Sequence, residues 1–337
     1  MLIAGAGMAG LCAAARAREL GASPVVLEKG DRPGGSMLLS SGVVWRFKTF
    51  EDFRRECPAG DERLQRVIFD GFDEALDWLV SRGPTVEWDD TPNPLTTGKR
   101  FEPRSLTEAL VRAVGPVRFG QGLGTVPPTR PEKPVVLATG GFPVRYAREH
   151  GLLVRSNPWS EGDGLDFARA RGAELAGDLD EFYGRAMPAP PARIEESDYV
   201  RLSQLWDGEP RVIDEEGEEF FPSPPAWHES DLAQAIARRP GGTAWFCVSE
   251  ERRDDPRVVG LREAGGTIVE EYGELCLHVA AAVTHTQGGL RADENAQVAE
   301  GVFAAGVDVG GIATGGYASG LAQALVLGRL AAESALR

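Results

Sequence analysis

The chain has 337 residues, with 51 acidic against 36 basic side chains and a formal net charge of −15. That length buries a large core, enough for one big domain and a smaller one. The charge excludes nucleic acid and anionic membrane surfaces as partners, no apolar run is long enough to cross a bilayer, and the balance suits a soluble, cytoplasmic protein.

The chain opens on Leu2-Ile3-Ala4, then Gly5-Ala6-Gly7-Met8-Ala9-Gly10, an apolar helix over 11–20, a strand over 25–27 and Glu28 at its tip. Each part has a mechanical task in holding a dinucleotide. Gly5 permits a tight turn, Gly7 lets the backbone approach a pyrophosphate, and Gly10 lets helix and strand pack closely. The helix start offers free N–H groups and a positive dipole end to the phosphates. Glu28 suits both hydroxyls of an adenosine ribose and repels a 2′-phosphate. The first strand is short, either clipped or preceded by residues upstream of Met1, and the segment lacks the basic leader of a signal peptide.

A second cluster of small residues, Gly34-Gly35-Ser36 and Ser41-Gly42, follows so soon that it suggests backbone wrapping a long, thin ligand. Apolar spacing then predicts a helix over 64–80 and a short one over 106–114 with Ser105 as cap. The stretches 91–94 and Pro127-Pro128 read as loops. Gly120-Gln121-Gly122-Leu123-Gly124 resembles a second glycine fingerprint but opens no helix, so it predicts a turn and no second nucleotide domain. An apolar strand over 135–137 runs into Ala138-Thr139-Gly140-Gly141. Gly162-Asp163-Gly164 precedes a helix over 165–173.

After Glu181 the character changes. Proline-rich stretches at 187–191 and 222–225 and an acidic run over 214–219 bracket short strands, followed by a helix over 231–239 and a strand over 243–248. The C-terminal part carries Thr284-His285-Thr286-Gln287-Gly288-Gly289, then Ala304-Ala305-Gly306, Asp308, Gly315-Gly316-Tyr317-Ala318-Ser319-Gly320 and a helix over 321–336. Cys12, Cys57, Cys247 and Cys276 are scattered without a CxxC pair, which predicts four reduced thiols and no metal site.

Together the glycine turn, the 34–42 cluster, the 135–142 strand and the C-terminal block resemble the fumarate reductase/succinate dehydrogenase flavoprotein family, which includes 3-ketosteroid and tricarballylate-type dehydrogenases. The resemblance implies an α/β fold: a Rossmann-like FAD-binding domain with a mostly parallel sheet, plus a small α+β cap domain. The FAD-binding domain would span 1–182 and 279–337, and a shortened cap 183–278. In that family Gly5, Ala6, Gly7, Met8, Ala9 and Gly10 would hold the FAD pyrophosphate and Glu28 the ribose. Gly34, Gly35, Ser36, Ser41 and Gly42 would line the isoalloxazine side. Gly306, Asp308 and the helix start at Ser319, Gly320, Leu321 and Ala322 would face the ribityl and pyrimidine end. Lys29, Ala138, Thr139, Gly140 and Asp163 complete the expected cofactor set. No histidine precedes His150, so the flavin would be non-covalent.

The resemblance places His285 over the flavin as a hydrogen-bond partner of a substrate oxygen. The two arginines that grip dicarboxylates in fumarate reductases have no match: Gly217-Glu218-Glu219-Phe220-Phe221 stands where one would be, and Tyr317 where the other would be. A dianion would then sit desolvated without partners, so a neutral carbonyl compound fits better. Tyr317 either works on the carbon next to a ketone, as a tyrosine does in 3-ketosteroid dehydrogenases, or packs on the flavin with its hydroxyl bonded locally. His228 is either a second acid/base, oriented by Glu229, or an exposed histidine near a helix start. The expected function is hydride transfer between flavin N5 and a carbon adjacent to a carbonyl of a small neutral molecule, by desaturation or enoyl reduction, with an unspecified electron partner. The alternatives are a fumarate- or tricarballylate-type enzyme using other arginines, such as Arg185 or Arg193, and a non-catalytic FAD-binding protein.

Overall fold

A computed structural model describes residues 1–125, 133–271 and 273–337. Two compact units emerge: Met1–Phe142 with Asn157–Glu181 and His285–Arg337, and Pro143–Ser156 with Phe182–Thr284. Set beside the expected cap of 183–278, the second unit reaches further at both ends and takes in the segment Pro143–Ser156. That segment belongs there because its strand Leu153–Val154 pairs in parallel with Ala282 and Val283. The Pro127-Pro128 loop expected from sequence lies outside the described residues.

The first unit is built on a six-stranded sheet in the order Gln297–Ala299, Val302–Ala304, Val135–Leu137, Leu2–Ala4, Val25–Leu27, Val117–Arg118. All pairings are parallel except that of Gln297–Ala299 with Val302–Ala304 at one edge. Ile3, Val26, Val136 and Ala304 are buried, as strands covered on both faces require. The alanine-rich helix Met8–Glu19 packs against the last helix, Gly320–Ala335, so closely that a Cβ on Gly328 would lie 2.5 Å from the Ala9 carbonyl oxygen.

Glu62–Ser81 is a long amphipathic helix, capped by the Asp61 carboxylate and burying Leu64, Ile68, Phe72 and Leu79. Pro103–Val114 starts earlier than apolar spacing suggests. Glu102, not Ser105, caps it, accepting from the Arg104 and Ser105 N–H groups, and Pro103 supplies a preset φ at the first helical position. Ser105 Oγ accepts instead from Thr85 N. A three-stranded antiparallel sheet, Val43–Phe47, Thr96–Phe101 and Val86–Trp88, completes this unit without having been expected.

The second unit holds a six-stranded mixed sheet with the path Phe182–Pro188, Glu274–Thr286, Thr243–Ser249, Arg211–Ile213, to which Ile268–Glu271 adds an antiparallel and Leu153–Val154 a parallel pairing on Glu274–Thr286. The helix Ser230–Ala237 brings Leu232 and Ile236 into its core with Trp206, Phe246, Leu275 and Leu277. Here the thiol expectation fails. Cys247 and Cys276 stand directly opposite each other on paired strands, with Cα atoms 4.0 Å apart, and are joined as a disulfide. Their separation of 29 residues hides the pairing from any local spacing rule. Cys12 and Cys57 are free and buried, and burial pushes the Cys57 thiol up to about 12.

Glycines of the first turn are fixed by sterics. Gly5 has φ +106°, and a Cβ there would lie 2.0 Å from Ala138 O; a Cβ on Gly10 would lie 1.9 Å from Gly5 O. Gly10→Ala is therefore expected to destabilise the protein by about 2–4 kcal/mol in urea unfolding. Gly124→Ala, with none of the described residues within 4 Å of the new Cβ, should stay within about 0.5 kcal/mol of wild type.

Candidate functional site

The turn after Leu2–Ala4 is held by one carboxylate. Glu28 is 5% exposed; its Oε2 accepts from Ala6 N and its Oε1 from Gly30 N, both at 2.7 Å. Gly34 N donates to Ala6 O at 2.8 Å, and Gly7 and Gly34 form a parallel bridge. The two small-residue clusters thus lie side by side, as wrapping a thin ligand would require. Gly35 has φ +51°, and its Cβ would come 3.2 Å from the Gly7 Cα. Ser36 Oγ accepts from Asn157 N. Gly42 is explained by the neighbouring sheet, since a Cβ would lie 2.0 Å from Phe101 O; Ser41 is part-buried beside it.

Gly7 is different from its neighbours. Its φ and ψ, −80° and −171°, are open to any residue, and a Cβ would meet only Gly34 O and Gly35 Cα, both at 3.8 Å. Among the described residues nothing requires glycine there. Gly7 stands at the start of the helix that carries Met8 and Ala9, where main-chain N–H groups and the positive end of a helix dipole favour anions in general.

Lys29 and Asp163 come together: Lys29 Nζ lies 3.2 Å from Asp163 Oδ2 and 2.6 Å from Glu161 Oε2. Ala138, Thr139 and Gly140 form the turn after Val135–Leu137, and buried Asp308 organises it. Thr139 N, Thr139 Oγ1 (2.8 Å) and Gly141 N (3.1 Å) all donate to its carboxylate. Burial raises the Asp308 pKa. Gly306 O accepts from Gln323 Nε2. Ser319 caps the last helix by accepting from Ala322 N at 3.2 Å, ahead of Gly320 and Leu321.

His285 meets that helix start. Its Nε2 would lie 3.3 Å from a Cβ on Gly320. Burial holds the imidazole down at about 4, and the positive end of the helix dipole acts in the same sense. At neutral pH His285 is an uncharged ring able to donate or accept one hydrogen bond per nitrogen. Next to it, Thr286 Oγ1 is buried and has no hydrogen-bond partner among the described residues; a Cβ on Gly141 would lie 3.2 Å from it.

Tyr317 packs edge-on to Trp45, ring centroids 5.5 Å apart, and its backbone N–H reaches the Cys57 sulfur. Its loop is fastened from three sides. Both Glu181 oxygens accept from Gly315 N at 2.9 and 3.1 Å, Gln287 Nε2 donates to Gly316 O at 3.2 Å, and Gln65 Nε2 donates to Ile312 O at 2.8 Å. Sequence reasoning missed these three residues. Gln65 carries a visible signal, a polar side chain on the buried face of an amphipathic helix, and Gln287 lies within the His285 block itself.

His285 and Tyr317 belong to the first unit and His228 to the second. His228 does precede a helix, but it is 6% exposed rather than solvated. Its Nδ1 accepts from Ser230 N at 3.2 Å and its ring meets Trp227 edge-on. Glu229, expected to orient it, accepts from Trp206 N at 3.0 Å.

The depressed His285 pKa has a signed consequence. The unfolded chain takes a proton near 6.5 and the folded chain only near 4, so acidification across that window favours unfolding. His285→Asn should flatten the loss of stability between those pH values, measured by urea unfolding. A His285 ring that titrates near 6.5 in the folded protein by NMR would contradict the assignment.

A family model described as an NAD(P)-binding Rossmann-like domain matches residues 3–41. No curated protein matches the sequence. Solved structures match nearly the whole chain. The open conformation of a flavocytochrome c3 fumarate reductase is 20% identical with a TM-score of 0.71, over 99% of this chain and 77% of that one. A 3-ketosteroid-Δ4-(5α)-dehydrogenase from Rhodococcus jostii RHA1, in complex with 4-androstene-3,17-dione, is 18% identical with a TM-score of 0.70, over 100% and 96%. A 3-ketosteroid Δ1-dehydrogenase from Sterolibacterium denitrificans is 14% identical with a TM-score of 0.76, over 99% of both chains. The chain therefore has the fold shared by flavoprotein fumarate reductases and 3-ketosteroid dehydrogenases, with a Rossmann-like nucleotide-binding segment at its N-terminal end.

Proposed function

We propose that the first unit binds FAD non-covalently and that the protein transfers hydride between flavin N5 and the carbon β to the carbonyl of a small neutral molecule. The observation that carries the choice of a neutral substrate is His285. An imidazole kept uncharged by burial suits a carbonyl oxygen and brings no cation to hold a carboxylate.

Bound FAD would supply the hydride acceptor or donor. Gly7 and the start of Met8–Glu19 receive the pyrophosphate. Glu28, with one lone pair on each oxygen already committed to Ala6 and Gly30, keeps others for ribose hydroxyls. Thr286 Oγ1 and the N–H groups at Gly320 and Leu321 are donors for the polar edge of the ring system, where helix N-termini favour developing negative charge. His285 orients the substrate carbonyl. Tyr317 holds the proton that leaves or joins the carbon next to the carbonyl, with its loop position set by Glu181, Gln287 and Gln65. The partners of this reading are a small-molecule substrate and an electron partner of unspecified identity. Among the described residues no helix is long and apolar enough to cross a membrane. We infer a cytoplasmic location from composition, and the Cys247–Cys276 bond is the observation that weighs against a reducing compartment.

Anaerobic photoreduction of the FAD-loaded protein, followed by 4-androstene-3,17-dione or cyclohex-2-enone, tests the chemistry. Enone-dependent return of the oxidised flavin spectrum is expected, slowed at least about 100-fold in Tyr317→Phe with flavin content unchanged. Turnover untouched by that change removes the proton role. Gly7→Ala should leave the melting temperature of the FAD-free protein as it is and weaken FAD binding by about tenfold or more, equivalent to about 1.4 kcal/mol.

A further inference from the structure

The second unit holds a cavity of about 180 Å³, and every residue lining it belongs to that unit. Leu153 and Ala282 line it from paired strands, Met187 from the end of Phe182–Pro188, and Ala192 and Tyr199 from the segment that follows. Met187 and Ala282 are buried, whereas Pro190 is exposed, so the space has a buried end and one that opens to solvent.

Protein interiors keep few voids larger than a water molecule, because a wall that faces nothing forfeits its dispersion contacts. Here the walls are kept from drawing together, since the segment that follows Pro188 is fastened at several points. Ala189 N donates to His278 O at 3.0 Å and Arg193 N to Ala264 O at 2.8 Å. Further on, Arg155 Nε donates to Tyr199 O at 2.9 Å and to Ser203 Oγ at 3.1 Å. Between these ties Glu195 and Asp198 cap a short turn reciprocally, which stiffens it. The space is therefore preformed, as small-molecule sites usually are.

Size and lining decide what enters. The volume falls short of a drug-sized site, which takes about 300 Å³ or more, and suits a single ring; an engineered apolar cavity of about 150 Å³ takes up benzene. No lining side chain is charged, so an ion would give up its hydration without gaining a partner. Tyr199 alone among them carries a hydroxyl. Burial, with the field of Glu196 acting in the same sense, raises its pKa and keeps it protonated. We propose that this cavity binds a neutral, single-ring molecule bearing one polar group, which the Tyr199 hydroxyl meets. The site draws on the second unit alone and is independent of the flavin chemistry proposed above.

The test is methionine-methyl NMR on the full chain, with FAD added to saturate any flavin site. The probes are toluene, p-cresol and 4-methylbenzoate at neutral pH, which share a ring and differ in polarity and charge. Met187 is the one methionine of the second unit, since Met1, Met8 and Met37 belong to the first, so its signal reports on this cavity. Toluene and p-cresol should shift that signal saturably, and 4-methylbenzoate should leave it in place. Ala282→Leu fills the cavity from the sheet and Ala192→Leu from the facing segment, and each should abolish the shift. Tyr199→Phe should weaken p-cresol about fivefold, as the loss of one neutral hydrogen bond does, and leave toluene unchanged. A Met187 signal that neither neutral probe moves overturns the proposal, as does a shift that survives in both filled variants. The wild-type signals decide by themselves should the filled variants not fold. An equal response to 4-methylbenzoate overturns the neutral class, and p-cresol affinity unchanged in Tyr199→Phe overturns the hydroxyl contact.

Discussion

The structure depends on how closely main chain approaches main chain around the first turn. Glu28 ties the amides of Ala6 and Gly30 together from the tip of the second strand. Gly5 and Gly10 let that turn press on Ala138 and on its own carbonyl at distances no side chain allows. Asp308 applies the same device to the 139–141 turn. Carboxylates here serve the backbone first. The outcome is a rim of small residues, in which Gly7 has room for a Cβ while Gly5 and Gly10 do not.

Such a rim recognises a ligand by shape and by partial charges rather than by formal charge. In a chain carrying a net charge of −15, oriented N–H groups and a helix dipole at the first turn suit phosphates without calling on cationic side chains. The same logic reaches His285. Burial strips its charge, and the start of the last helix keeps it so, leaving a directional but neutral contact.

Much of the first unit was legible because spacing encodes it. The Gly5, Gly7, Gly10 series with Glu28, the apolar face from Leu64 to Leu79 and the final helix each follow a local period or a fixed offset. Misreadings came where the deciding partner is remote in sequence or where two local signals compete. Ser105 looked like a cap, yet Glu102 with Pro103 begins the helix three residues earlier. Cys247 and Cys276 meet only because the strands Thr243–Ser249 and Glu274–Thr286 pair in that register. Pro143–Ser156 shows no compositional break, and only its pairing with Ala282 and Val283 assigns it to the second unit. His228 sits where the sequence put it, before a helix, but burial depends on tertiary packing that periodicity does not reveal. The fasteners of the Tyr317 loop, Gln65, Glu181 and Gln287, are each separated by more than a hundred residues and become a set only in the fold.

The central claim is that backbone amides of the first unit hold a flavin dinucleotide without a covalent bond. The most direct measurement is the visible spectrum of purified protein incubated with excess FAD and desalted, taken before and after acid precipitation. The account predicts a yellow protein whose flavin passes entirely into the acid supernatant. A protein that stays colourless after incubation, or colour that remains with the precipitate, would contradict it.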